Sequence, residues 1–189
     1  MSTDRRAQIV TGAIELIATR GIRALTHRAV DTALDLPPGS ASYYFRTRKA
    51  LVEAVADRIA TRSRDDFTAA GFAPDPARLA HDIACWLDQL LAQRRNELIA
   101  RHALTIEVLA DADLHARLAG SLFSLDRATE LFTALGAAEP RTVAGDFLAL
   151  LEGLVFDRFA GLRAGCAAGT ADGVAQLTRP LSTFLREWE

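Results

Sequence analysis

Cysteines, long apolar runs and catalytic motifs are scarce or missing in this sequence of 189 residues. Two cysteines, Cys85 and Cys166, are too few for a disulfide framework or for zinc-finger spacing. No apolar run approaches the roughly 18 residues of a membrane span, and the stretch MSTDRRAQIV lacks the apolar core of a signal peptide. We therefore expect a cytoplasmic protein with free thiols that binds no membrane, metal or cofactor.

Enzyme signatures are missing as well. None of the patterns GxxxxGK, HExxH, GxSxG and GxGxxG occurs, so the sequence indicates no nucleotide-, zinc- or serine-dependent catalysis. His81 and Cys85 lie four residues apart and share a helix face, but two ligands do not make a zinc site. We expect a protein that is not an enzyme. A small helical enzyme with scattered catalytic residues remains the alternative from another class.

What the sequence does contain is apolar residues at helical spacing. Half of the residues are hydrophobic and the mean hydropathy is +0.09. Strand-like alternation is absent, so the pattern predicts an all-α protein of about nine helices. Beyond a long fourth helix, we expect helices at 76–93, 96–109, 111–135, 140–162 and 171–188, the last kinked at Pro180.

Charge is unevenly distributed along the chain. Residues 1–50 carry eight basic and four acidic residues, whereas residues 51–189 carry fourteen basic and twenty acidic ones. We call residues 1–50 the head and residues 51–189 the body. A basic head on an acidic body predicts an anionic partner that binds the head only.

The head reads as two short helices joined by a tight corner. A first helix over 3–20 ends at Gly21, and a second begins after Thr26, a good N-cap. Asp35 falls where a left-handed C-cap is needed. Pro37 then ends the helix, and Pro38 is expected at the first position of a third helix over 38–45.

The short third helix would have two distinct faces. Ala41 and Phe45 are four residues apart and should face the core, whereas Gly39, Ser42 and Tyr43 should face outward. A helix this short is not stable alone. Its inner face must therefore pack on the first two helices, which leaves the outer face presented to a partner.

Three cations fall at the start of the fourth helix, which we expect from the Thr47 cap to about residue 70. Arg46, Arg48 and Lys49 stand where the helix dipole disfavours positive charge. A DNA phosphate at this helix start would reverse that effect. The alternative is a solvated surface cluster that pairs with nearby carboxylates, namely Asp31, Asp35 or Glu53.

Three stretches of the head, ATRGIRALT, LTHRAVDTAL and GSASYYFRTRKALV, resemble the DNA-binding domain of the TetR family of transcriptional regulators. The last is similar to the family pattern Gly-x-x-Tyr-x-Tyr-Phe-x-x-Lys-x-x-Leu. Ser42 stands where the family often has tyrosine, and Arg48 where it usually has lysine. Asp35 replaces the turn glycine, and Pro37 a capping serine or threonine.

The resemblance implies a helix-turn-helix DNA-binding domain at 1–50 and a helical effector-binding and dimerisation domain at 51–189. It implies a repressor that binds a palindromic operator as a homodimer and is released by a small hydrophobic or aromatic effector. A helical protein of the same fold that has lost DNA binding is the alternative.

Residues at the matching positions are expected to contact double-stranded DNA. Arg28 is our candidate for a bidentate guanine contact, Tyr44 and Arg48 resemble phosphate contacts, and Phe45 should be core. The full set is Thr26, His27, Arg28, Pro38, Gly39, Ser40, Ser42, Tyr43, Tyr44, Arg48 and Lys49.

The acidic body should supply the partner surface and the effector cavity. The helix predicted at 140–162 is apolar nearly all round, and the last helix carries a second apolar stripe, which together predict a two-fold four-helix interface; its candidates are Leu150, Leu154, Phe159, Leu177, Leu181, Phe184 and Trp188. Candidates for the cavity, which core packing would explain equally well, are Trp86, Leu90, His102, Ile106, Phe123, Phe147 and Leu151. We expect His102, Glu107 and Asp126 to orient polar groups of the effector.

Overall fold

The computed structural model describes residues 2–72 and 75–187. Within these ranges the chain forms nine α-helices and no strand, which confirms the all-α prediction. The helices are α1 (Ser2–Arg20), α2 (His27–Ala33), α3 (Ser40–Tyr44), α4 (Arg48–Ala70), α5 (Pro76–Glu107), α6 (Ala112–Ala119), α7 (Leu125–Ala134), α8 (Pro140–Ala160) and α9 (Ala171–Glu187). Among the residues so described, none of these helices is long and apolar enough to cross a bilayer.

Local capping explains the boundaries in the N-terminal part. Gly21 ends α1 with φ 80°, a conformation that glycine adopts without a steric penalty. Thr26 caps α2, because its Oγ1 accepts from the backbone N–H of Ala29 at 3.1 Å. Asp35 adopts φ 52°, and Thr47 Oγ1 accepts from the N–H of Ala50 at 3.0 Å at the start of α4. The predictions for these four positions are confirmed.

The third helix begins later than the sequence suggested. We predicted Pro38 at its first position, but α3 begins at Ser40. Gly39 precedes it with φ 90° and ψ −3°, a left-handed conformation that cannot continue a right-handed helix. Pro38 and Gly39 therefore lie in the turn, and α3 has only five residues.

The single helix predicted over 111–135 is also wrong, since the chain forms α6 and α7 there. Gly120 ends α6, and Ser124 starts α7 by accepting from the N–H of Arg127 at 3.3 Å. Between 76 and 107 we predicted two helices with a break at 94–95, and the structure agrees: two helices meet in α5 at a kink at Arg94, whose φ −125° and ψ 20° are not helical. In α9, Pro180 lies inside the helix.

Two compact units make up the chain. The first contains Met1–Asp65 and Asn96–Leu122, and the second contains Asp66–Arg95 and Phe123–Glu189. The predicted DNA-binding domain, residues 1–50, lies wholly within the first unit.

The core of the first unit joins α1 to α4 with the later segment Asn96–Leu122. Phe45 and Leu51 are almost completely buried in the same cluster as Leu104 and Leu118. Arg101 is buried and donates from Nη2 to the carbonyl of Ala119 at 2.7 Å. It thereby satisfies a C-terminal carbonyl of α6, which the helix itself leaves unpaired.

The second unit is built around aromatic packing. Phe132 and Phe147 meet edge to face with their ring centroids 5.3 Å apart, and the rings of Phe147 and Phe184 are also 5.3 Å apart. Such contacts add to the stabilisation from burial alone. Leu177 and Leu181 of α9 complete this core and are almost fully buried.

Candidate functional site

The corner between α2 and α3 is held by a buried carboxylate. Asp31 of α2 is 3% exposed. Its Oδ2 accepts from the backbone N–H of Gly39 at 2.8 Å, and its Oδ1 accepts from the N–H of Ala41 at 2.7 Å. These bonds satisfy two donors at the start of α3 that the short helix cannot pair itself. Asp31 therefore supplies the cap that Gly39, without a side chain, lacks.

The two faces of α3 are divided as the sequence predicted. Ala41 and Phe45 are buried, and Arg6 lies 4.5 Å from the centre of the Phe45 ring. On the opposite face Ser42 is exposed and Tyr43 is 75% exposed. The rings of Tyr43 and Tyr44 pack edge to face with their centroids 5.1 Å apart. Tyr43 therefore projects into solvent while its ring is supported by that of Tyr44.

Most of the residues that we matched to DNA contacts lie at the surface. Half-buried are His27, Ser40 and Tyr44, and exposed are Thr26, Arg28, Pro38, Gly39, Ser42, Tyr43, Arg48 and Lys49. The Ser40 hydroxyl is already used, because it donates to the carbonyl of Pro37 at 2.6 Å. Arg28 and Arg46 are exposed and enter no ion pair within ranges 2–72 and 75–187. Their guanidinium groups remain available to a partner.

The other two cations pair with carboxylates of the chain itself, as the alternative interpretation of this cluster expected, but with carboxylates that the sequence analysis did not name. Arg48 Nη2 lies 3.5 Å from Oε1 of Glu107, and Lys49 Nζ lies 2.5 Å from Oδ2 of Asp111. These carboxylates stand about sixty positions further along the chain, and neither is one of the three that we considered. Glu107, which we expected to orient an effector, belongs to the first unit and pairs with Arg48.

The Lys49–Asp111 pair is reinforced from both sides. The hydrogen bond and the charge of Asp111 raise the pKa of Lys49. In return, the hydrogen bond from Lys49 lowers the pKa of Asp111. Asp111 also caps α6, accepting from the N–H of Leu114 at 3.2 Å. Both groups are therefore charged at neutral pH, and the start of α4 is joined to the start of α6.

These two pairs leave the cations accessible. The Arg48 side chain is 45% exposed and that of Lys49 is 56% exposed. Exposed ion pairs contribute about 0–1 kcal/mol and weaken with salt. Ion pairs this weak leave Arg48 and Lys49 able to exchange a carboxylate for another anion.

Two neighbouring cavities in the second unit share Trp86 as a wall. The larger, about 450 Å³, is lined by Asp66, Asp82 and Leu90 among others. The smaller is a narrow apolar space of about 30 Å³, lined by Phe123, Phe147, Leu151 and other apolar residues. Trp86 is half-buried and lines both a cavity of mixed polarity and an apolar one.

Five of the seven predicted effector residues line these cavities. His102 and Ile106 do not, because both belong to the first unit. Ile106 is 66% exposed, and Nδ1 of His102 lies 2.8 Å from the carbonyl oxygen of Leu98. Asp126, expected to orient an effector, lies instead 3.6 Å from Arg141 at the surface.

Sequence reasoning missed two aromatic wall residues at the end of α4. Phe67 and Phe72 flank Gly71, and their rings lie 6.0 Å and 5.6 Å from that of Trp86. The sequence did contain a signal for these two cavity residues, since both are aromatic and stand close to the glycine that follows α4.

The cysteine of the larger cavity is paired with a histidine. Cys85 Sγ and His81 Nε2 are 3.5 Å apart, as their spacing of four predicted. Burial, followed by the charges of Asp82 and Asp88, raises the pKa of the Cys85 thiol. Among the described residues, no group of three or more His, Cys, Asp or Glu side chains is arranged to hold a metal.

The residues predicted for a dimer interface divide into two groups. Leu154, Leu177 and Leu181 are buried within the single chain, so they have little surface left for a partner. Leu150, Phe159 and Phe184 are half-buried. Trp188 lies outside the described residues.

The exposed side of α8 carries small and apolar residues that were not among our interface candidates. Gly145, Ala149, Gly153, Phe156 and Ala160 recur along one side of the helix, and all five are exposed. A Cβ placed on Gly145 or Gly153 would meet nothing within 4 Å. Phe156 is 43% exposed. This stripe would let a second helix approach closely.

Family models match two parts of the chain. The model described as bacterial regulatory proteins of the tetR family matches residues 9–55. The model described as a tetracyclin repressor-like C-terminal domain matches residues 74–182, more than half of the chain. Comparison with curated proteins gave no match.

Solved structures share the fold. A TetR family member from Streptomyces coelicolor A3 is 24% identical, with a TM-score of 0.72 over 93% of this chain and 97% of that chain. A transcriptional regulator from Rhodococcus sp. Rha1 is 16% identical, with a TM-score of 0.78 over 97% of this chain and 95% of that chain. The multidrug binding protein EbrR, complexed with ethidium, is 26% identical, with a TM-score of 0.63 over 93% of this chain and 97% of that chain.

The family matches coincide with the elements described above. The N-terminal match contains α2, α3 and the first turns of α4, which build the exposed face of the corner. The C-terminal match begins ahead of α5 and ends within α9, so it contains most of the helices that line the cavities. This chain belongs to the TetR family of transcriptional regulators.

Proposed function

We propose that the protein is a repressor that binds a palindromic operator as a homodimer and leaves it when an aromatic effector binds. The observation that carries the DNA-binding part is the outer face of α3. Tyr43 is exposed on that face, and Asp31 fixes the helix through its backbone N–H groups. A short helix held in this way can enter the major groove without losing its own structure.

We assign different roles to the cations of the corner. Arg28 at the start of α2 reads a guanine, because an exposed guanidinium can donate two bonds to O6 and N7. Arg48 and Lys49 hold phosphates after exchanging them for Glu107 and Asp111. Backbone contacts of this kind position the protein and carry no sequence information.

The apolar stripe on α8 supports the homodimer. A palindromic operator requires two recognition helices about 34–36 Å apart, or a multiple of that distance. A two-fold axis passing beside Gly145, Ala149 and Gly153 would pair two copies of α8 closely. Phe156 would then be covered by the partner, as expected of an apolar residue at a self-complementary interface.

The larger cavity supports an aromatic effector, and its charge favours a cationic one. Trp86 and Phe72 offer ring faces, on which a planar cation is attracted by the π-electrons. Asp82 contributes a carboxylate, whereas Asp66 is occupied by Arg94 at 2.9 Å. EbrR, which is similar to this chain, binds ethidium, a ligand of this kind.

The DNA-binding proposal is tested with operator candidates from the DNA that flanks the gene. We expect one duplex to bind specifically at moderate salt. Arg28→Ala should then reduce discrimination against a mutated base pair by about 1–3 kcal/mol. Arg48→Ala should weaken all duplexes alike and flatten the salt dependence.

Two results would contradict the proposal. If no duplex binds with salt-dependent affinity, the chain has kept the fold and lost DNA binding. If both variants weaken every sequence equally, Arg28 has no role in specificity. Far-UV circular dichroism of each variant checks that the helices are intact.

A further inference from the structure

We propose that the second unit contains a separate site for a small organic carboxylate, in a cavity beside Arg158 at the loop between α8 and α9. The cavity has a volume of about 330 Å³. Its lining includes two arginines and a cysteine as well as small apolar side chains, namely Arg95, Arg158, Cys166, Leu91, Ala164 and Ala168. It shares none of its lining residues with the cavities beside Trp86.

Arg158 has donors that the protein does not satisfy. The residue is 3% exposed, yet its contacts are long: 3.3 Å from Nη1 to Oε1 of Gln176 and 3.4 Å from Nη2 to the carbonyl of Ala167. Its Nε is buried and has no hydrogen-bond partner. Buried guanidinium groups are normally paired with acceptors at close range. The site therefore lacks an acceptor.

Asp88 does not fill this role, although it is the nearest carboxylate. Its Oδ2 is committed to the loop, accepting from the N–H groups of Gly169 at 2.7 Å and Thr170 at 3.0 Å. Its Oδ1 remains 3.7 Å from Nη2 of Arg158, beyond hydrogen-bond distance, and has no hydrogen-bond partner of its own. Asp88 thus fixes the loop and balances only one of the two arginine charges.

The second arginine lies on the same cavity. Arg95 is exposed, and its Nη1 donates to the carbonyl of Arg158 at 3.3 Å. Of the nearby acidic side chains, Asp157 is paired with Arg163 at 2.9 Å, and neither Asp157 nor Asp172 lines the cavity. The cavity therefore has a net positive charge, with Arg158 buried and Arg95 at the surface.

The chemistry of the lining selects the class of ligand. Guanidinium groups match the paired oxygens of a carboxylate. The walls of Leu91, Ala164 and Ala168 suit a small apolar body attached to that group. An inorganic phosphate would use the charges but not the apolar walls.

Cys166 lines the cavity and can report on it, and Cys85 provides a control within the same molecule. Iodoacetate and iodoacetamide react in the same way: the thiolate sulfur attacks the CH₂ group, the carbon–iodine bond breaks, iodide leaves and a thioether forms. Both reagents meet the same thiolate at a given cysteine, so the ratio of their rate constants does not depend on its pKa. Iodoacetate differs in being itself a small carboxylate.

The experiment treats the full chain with each reagent, stops the reaction at timed intervals, and measures the two rate constants at each cysteine by mass spectrometry of the digested peptides. We expect the iodoacetate-to-iodoacetamide ratio at Cys166 to exceed that at Cys85 about tenfold. Sodium benzoate should slow the reaction of iodoacetamide with Cys166, and the neutral isostere benzamide should not. Equal ratios at the two cysteines would overturn the proposal. The proposal would also be overturned if benzamide or sodium phosphate protected Cys166 as well as benzoate does.

Two variants distinguish a specific carboxylate site from non-specific attraction of the reagent by surface charge. Arg95→Gln, at an exposed position that should not disturb folding, is expected to bring the ratio at Cys166 close to that at Cys85. The matched control is Arg163→Gln, which removes an exposed charge from the same loop but not from the cavity lining, and should leave the ratio unchanged. Equal losses in both variants would mean that loop charge alone attracts the reagent, which contradicts a carboxylate site. None of these readouts uses DNA, so the result is independent of the proposed repressor function.

Discussion

At the residue scale, Asp31 determines the geometry of the corner more than any residue of α3 itself. One buried carboxylate accepts two backbone N–H groups of the next element. The sequence showed Asp31 only as a possible partner for the nearby cations. Its capping role could not be predicted, because the turn has to fold before the donors, eight and ten positions away, can reach it.

We predict that Asp31→Ala destabilises the first unit. The buried N–H of Ala41 and the half-buried N–H of Gly39 lose their acceptor, and a buried unsatisfied group costs about 1–3 kcal/mol. The free energy of unfolding, measured with urea, should fall by at least that amount, and operator affinity should fall with it.

Asp35→Gly is the matched control in the same turn. Asp35 adopts φ 52°, and a non-glycine residue in this conformation costs on the order of 1 kcal/mol. Glycine should therefore leave stability unchanged or raise it by about that amount. If Asp31→Ala is as stable as Asp35→Gly, the carboxylate does not hold α3.

At the element scale, the sequence predicted helix starts well where the cap is local and poorly where it is distant. Thr26 and Thr47 cap from the adjacent position and were recognised. The break between α6 and α7 was not, because it depends on Arg101, which is buried and donates from Nε to the Ser121 hydroxyl at 3.2 Å. A partner twenty positions away leaves no periodic signal in the segment that it interrupts.

The same reasoning explains the cations of α4. Dipole arguments correctly indicated that Arg48 and Lys49 need negative partners. They did not indicate that the carboxylates come from α5 and from the residue before α6, because only the folded unit places them together.

We predict that Glu107→Gln raises operator affinity by at most about fivefold. The substitution removes a carboxylate that competes with DNA phosphate for Arg48, and exposed pairs of this type are worth up to about 1 kcal/mol. Fluorescence anisotropy with a labelled operator at several salt concentrations measures the change. Glu130→Gln, which breaks the exposed pair with Arg127 within α7, serves as control. A lower affinity for Glu107→Gln would show that the pair positions Arg48 for DNA and does not compete with it.

We further predict that Gly153→Arg converts the protein to a monomer. A long charged side chain on the apolar stripe of α8 prevents close helix approach and would bury an unpaired charge at the interface. Light scattering coupled to size-exclusion chromatography measures the mass. The control, Thr133→Arg on the exposed side of α7, should remain dimeric. A dimer of unchanged stability for Gly153→Arg would place the interface elsewhere.

At the scale of the whole molecule, fold and family were predictable from the head, whereas the effector site was predictable only in part. Trp86 and Phe123 stood out as aromatic residues at helical spacing. Phe67 and Phe72 joined them only because the second unit brings the end of α4 against α5. His102 and Ile106 share the same apolar periodicity but belong to the other unit, which the pattern alone does not reveal.

We predict that ethidium binds the chain and that Asp82→Asn weakens this binding about tenfold. A buried or half-buried carboxylate near a planar cation contributes more than an exposed pair because solvent screens it less. Quenching of Trp86 fluorescence by ethidium gives the affinity. The control is Asp65→Asn, which removes an exposed carboxylate that lines neither cavity. This variant should bind ethidium as tightly as the unmodified chain does. Equal affinities for the two variants would remove Asp82 from the effector site.

The way in which α3 is anchored has a consequence for how a regulator of this family acquires new DNA targets. Its register depends on main-chain amides and on the inward-facing Ala41 and Phe45, none of which has to change when the operator does. Ser42 and Tyr43 make only local contacts, a hydrogen bond from the Ser42 hydroxyl to the carbonyl of Gly39 at 2.9 Å and the ring contact of Tyr43 with Tyr44. A library randomised at these two positions should therefore yield variants that keep the fold and differ in the duplexes that they bind.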